Sequence, residues 1–126
     1  MPYQVSKARF AELVEQAIRE LPEPFARFME EVRIEIEDRP ARKLLREMGM
    51  DEDELLLGLY EGRSLIERSV EESGRLPDRI RIFQEDHEEV SDSENDLVRE
   101  VRTTVLHEIG HFFGMGEEDL DELGYG

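Results

Sequence analysis

Near the C-terminus the stretch HEIGHFFG sets His107, Glu108 and His111 at positions i, i+1 and i+4. On a helix, two histidines four residues apart stand on one face, one turn from each other, so both imidazoles can reach a single metal ion. Glu108 follows the first histidine directly and cannot also be a ligand from that face. It leans instead toward a metal-activated water, whose proton it can take. Three protein ligands with an open fourth position make a catalytic rather than a structural zinc site. In a chain with three His and 24 Glu, random order would place HExxH somewhere in about 1% of sequences, so accident is a poor account of it.

Gly114 extends the pattern. A helix that ends in a left-handed residue prefers Gly, and a sharp turn there brings a side chain three residues later back toward the same metal. That side chain is Glu117, with Glu118 and Asp119 as neighbours able to serve instead. Two imidazoles and a carboxylate point to one zinc ion, although Mn, Fe or Ni also accept such donors. The remaining histidine, His87, falls in the acidic stretch EDHEEVSD and reads as a surface residue rather than a ligand. Met115 and Tyr125 are not assigned to the site.

The element that must carry the motif is a long helix capped by Asp92 or Ser93 and ending near Phe113. Val98, Val101, Val105, Ile109 and Phe112 step along it by three or four residues, a stripe that faces the core. His107 and His111 lie on another face, continuing back through Thr104 and Glu100, and project into a cleft or solvent. Upstream, residues 7–21 have helical spacing behind Ser6 as N-cap, and Pro22 and Pro24 stop that helix. Residues 31–37 and 79–84 alternate as half-buried strands, and residues 55–60 read as a further short strand. Between them Pro40 opens a short helix through Met48, with Leu44, Leu45 and Met48 inward, closed by Gly49. Residues 63–76 are a loop or a helical turn, and residues 85–92 a loop. The expectation is an α+β chain, a small mixed sheet packed on helices with the metal helix near the C-terminus.

At 126 residues the chain has room for one domain, residues 1–126, with a single core. The formal charge of −17 argues against nucleic acid or an anionic membrane surface as partner, because both would be repelled. The absence of cysteine excludes a disulfide framework and thiolate ligands. No apolar run is long enough to span a bilayer. The first twenty residues lack an apolar signal core, which makes the cytoplasm the expected address. A negative field of this size also suits a metal cation or a basic peptide.

With these motifs in place, the chain resembles the small bacterial zincin-like metallopeptidases. The resemblance runs through EDRP (37–40), LLGLYEG (56–62), LPDRIRIF (76–83) and TVLHEIGHFFGMGEEDLDELGY (104–125). HExGHxxG is also similar to the metzincin consensus, whose third ligand maps onto Glu117. The resemblance implies a minimal zincin fold, a bound divalent metal and Glu108 as general base. It departs from metzincins in having no Met-containing turn after the third ligand, since Met115 lies inside the motif. Thermolysin-like enzymes take their third ligand from a second helix well after the motif, a layout this sequence does not follow. The expected function is zinc-dependent hydrolysis of a peptide or protein substrate. The alternative is a regulatory or peptide-binding module that keeps the metal site without turnover.

Overall fold

The computed structural model describes residues 3–62 and 78–115, together with Glu118 and Glu122. In chain order the elements are α1 (Lys7–Arg19), α2 (Phe25–Phe28), a 3-10 turn (Met29–Glu31), β1 (Arg33–Glu37), α3 (Arg42–Glu47), β2 (Gly58–Glu61), β3 (Arg79–Phe83), α4 (Gln84–Glu89) and α5 (Glu94–Phe112). This is the expected α+β arrangement with a small mixed sheet. The expectation for residues 63–76 lies outside the described residues. Among those described, no helix is long and apolar enough to cross a membrane.

β3 occupies the middle of the sheet, parallel to β1 and antiparallel to β2. The register sets Ile34 beside Ile80 and Ile36 beside Ile82, so the apolar alternation of both strands falls on one face. Gly58 and Tyr60 share that face through their pairing with Ile82 and Ile80. Against it pack α1 and α5, whose Phe10, Leu13, Val14, Ala17, Leu97, Val101, Val105 and Ile109 are buried with the isoleucines. The opposite face carries arginine–glutamate pairs across the strands: Arg79 reaches Glu35 at 2.7 Å and also Glu61, and Arg81 reaches Glu37 at 2.8 Å.

Several boundaries follow from local chemistry. The Ser6 hydroxyl accepts from the Arg9 N–H and starts α1, as expected of an N-cap. β1 begins at Arg33 rather than residue 31, because residues 29–31 close a 3-10 turn through Val32 N–H to Met29 O. β2 begins at Gly58, not residue 55. Leu56 spends its N–H on the Asp86 carboxylate before the strand starts. α3 buries Leu45, but Met48 is 46% exposed, contrary to the inward placement expected. The helix stops one residue earlier, at Glu47, with Met48 as its C-cap.

The acidic stretch expected as a loop is a helix, α4. Its buried face is polar: Gln84, His87 and Glu88, at helical spacing, turn inward and find partners there. Hydrophobic periodicity cannot reveal such a helix, because its inward side chains are not hydrophobic. Glu85 and Asp86 in the first turn complement the N-terminal end of the helix dipole.

Candidate functional site

α5 positions the motif by anchoring at both ends. Ser93 accepts from the Asp96 N–H at 3.1 Å, and Gly114, at φ +79°, ends the helix in the left-handed conformation that its position predicts. Gly114 N–H donates to His111 O and Met115 N–H to Gly110 O, the paired bonds of a Schellman cap. Leu97, Val98, Val101, Val105 and Ile109 fix the rotation by burial, while Phe112 is only half-buried. His107 is therefore half-buried and His111 exposed. Their ring centroids lie 6.3 Å apart at an interplanar angle of 73°.

Glu108 turns toward the sheet. Its Oε1 accepts a hydrogen bond of 2.9 Å from the backbone N–H of Tyr60 in β2. Phe83 N–H donates to Leu57 O, so in this antiparallel ladder residues 57, 59 and 61 face β3. Gly58 and Tyr60 therefore direct their backbone groups to the other edge, where Glu108 meets one of them. Burial raises the Glu108 carboxyl above its ordinary value, while the Tyr60 N–H and the two histidines pull in the opposite direction.

Two neighbours make this approach possible. A Cβ at Gly58 would come within 2.6 Å of Thr104 Cγ2, so only glycine lets β2 lie this close to α5. Tyr60 is held by its hydroxyl, which donates to Asp78 Oδ2 at 2.7 Å, and by its ring, 4.9 Å from Phe112. Sequence reasoning did not single out Gly58, Tyr60 or Asp78. A glycine inside a strand pattern is the one signal that points to them.

His87 is fully buried, not the surface residue expected of an acidic loop. Burial lowers its pKa to about 4 and keeps the ring neutral. Nδ1–H donates to Phe83 O, and Nε2 accepts from the Thr104 hydroxyl, each at 2.9 Å. Both ring nitrogens are thereby committed to bracing α4 against α5. Thr104, expected on the open histidine face, is consequently buried as well.

The histidine pair has the donor type and the one-turn spacing that suit a divalent metal, with ring centroids 6.3 Å apart against the about 5 Å of two imidazoles on one tetrahedral zinc. Among the described residues no three His, Asp or Glu side chains form a metal-holding group. Glu117 and Asp119 lie outside the described residues. Glu118 is helical and exposed.

The comparisons agree with this geometry at the level of class. A family model described as zincin-like metallopeptidase matches residues 29–126, and the chain belongs to that family. Its fold is similar to that of a conserved hypothetical protein from Thermus thermophilus, with a TM-score of 0.55 and 22% identity over 86% of this chain and 94% of that one. At that identity the likeness is one of fold. No curated protein matches the chain.

Proposed function

We propose that this chain hydrolyses peptide bonds with one divalent metal, zinc by its donor set, held by His107, His111 and Glu117. Bound there, the metal supplies Lewis acidity toward a carbonyl and acidifies water. Glu108 is the general base, taking the proton of the attacking water on its carboxylate. Substrate is an extended peptide that adds to the edge of β2, where Gly58 and Tyr60 direct their backbone groups. The observation that carries this reading is the hydrogen bond from Tyr60 N–H to Glu108 Oε1. It sets the base against the edge strand, on the helix that bears both histidines.

Glu108→Gln tests it, because Gln is nearly isosteric but cannot accept the water's proton. In a peptide-library digest the variant is expected to lose about 10²–10⁴-fold in rate, with metal content and thermal midpoint nearly unchanged. A chelator should abolish cleavage by the parent protein. Cleavage undiminished in the Gln variant would reject Glu108 as base. No cleavage by the metal-loaded parent would favour a module that binds peptide without turnover.

A further inference from the structure

Where α3, the segment leading into β2 and α4 meet, a cavity of about 590 Å³ opens. Pro40, Ala41, Leu45 and Leu55 give it apolar walls, and Asp86 joins its lining while only 6% exposed. Asp86 Oδ2 accepts the Leu56 N–H at 2.9 Å, and among the described residues the carboxylate makes no other hydrogen bond or ion pair. Oδ1 accepts no hydrogen bond among the described residues, and Asp86 lies in the cavity wall. Burial raises this carboxyl above its ordinary value, with the Leu56 N–H opposing. A carboxylate held in the wall of a cavity, half screened from water, attracts a cation that enters it more strongly than a carboxylate in open solvent does.

The lining is acidic on balance, with Glu52, Asp53, Glu54 and Asp86 against Arg39 and Arg42. Glu52, Asp53 and Glu54 surround the opening, and Arg42 is already drawn to Glu52 at 3.7 Å. Arg39 lies near enough to bias Asp86 toward its charged form, yet it makes no ion pair with it. Leu56, whose N–H holds Asp86, is four residues before Tyr60, or ~13 Å of extended chain. The cavity therefore stands at the head of the edge strand.

We infer that this cavity is a recognition pocket for a basic side chain, arginine or lysine, of a peptide laid along β2. The hydrocarbon stem lies on Pro40, Leu45 and Leu55, and the charged head meets Asp86. The inference rests on the peptidase reading only for the source of that side chain.

The test is an NMR titration of metal-free protein, at physiological ionic strength, with Nα-acetyl-arginine N-methylamide and its citrulline counterpart. Citrulline has the same shape without the charge. Arginine is expected to shift the amides of Leu55, Leu56 and Asp86, and citrulline to bind about tenfold more weakly or worse. Asp86→Asn keeps an acceptor for the Leu56 N–H and should weaken arginine binding to a similar degree. Arg39→Ala, which removes a competing cation, should strengthen it. Equal response to the two ligands would overturn the inference. So would full binding by Asp86→Asn, shifts confined to other residues, or weakening by Arg39→Ala. The titration requires neither metal nor turnover, so its failure leaves the peptidase reading standing, and the converse also holds.

Discussion

His87 holds a neutral imidazole with none of its surface open to solvent. In the unfolded chain the same group takes a proton near its ordinary pKa of 6.5, whereas in the folded chain it waits until about 4. Its contribution is therefore complete above pH 6.5 and is lost as pH falls through that window, because the unfolded state binds the proton first. By pH 5 the loss is about 2 kcal/mol. Denaturant midpoints at pH 7.5 and pH 5 should show it, and His87→Gln should flatten the difference. An unchanged pH slope in that variant would remove His87 from the explanation. At the metal site, His107→Ala or His111→Ala should abolish tight binding of one divalent ion, as read by elemental analysis. Glu117→Ala should weaken affinity roughly 10-fold or more. A loss from Asp119→Ala or Glu118→Ala in its place would shift the third ligand while leaving the pair intact.

Among the elements, β2 and α5 meet across Gly58 and Thr104. Thr104 cannot swing aside freely, because its hydroxyl holds His87 Nε2. Gly58→Ala should therefore cost about 1–3 kcal/mol by overpacking. Thr104→Ser keeps the hydroxyl and removes the Cγ2 methyl that the new Cβ would meet. Combined with Gly58→Ala, it should recover much of the loss in a double-mutant cycle. Strictly additive costs would show that the strand and helix do not touch there. The same elements mark what the sequence disclosed. The valine–isoleucine stripe, Ser93 and Gly114 announced α5, since caps and apolar spacing are local properties. The inner face of α4 is polar and gave no such signal. Nor did the bond joining β2 to Glu108, for its donor is a backbone N–H that every residue except proline carries.

For the whole molecule, a metal that binds the folded chain and not the unfolded one must raise its stability by mass action. Zinc at about 1,000 times its dissociation constant should add about 4 kcal/mol. The thermal midpoint should rise accordingly and fall back with a chelator, while the His107→Ala protein should not respond. A formal charge of −17 already favours the approach of a cation. The fold class was legible because three strand patterns and two long amphipathic patterns are each written in local spacing. The order β1-β3-β2 was not, since pairing is decided by contacts between residues far apart in sequence.

The Tyr60–Glu108 bond has a consequence for how the molecule keeps to itself. An edge strand presents unpaired donors and acceptors on which another chain can template, and proteins commonly blunt such edges with charge. Here the N–H of Tyr60 is capped by a carboxylate from the neighbouring helix, and the outer face of the strand ends in Glu61. Any backbone that adds to β2 at that point must first evict Glu108. The residue proposed to do the chemistry therefore also guards the sheet against indiscriminate self-association, and a backbone that displaces it frees the carboxylate for use.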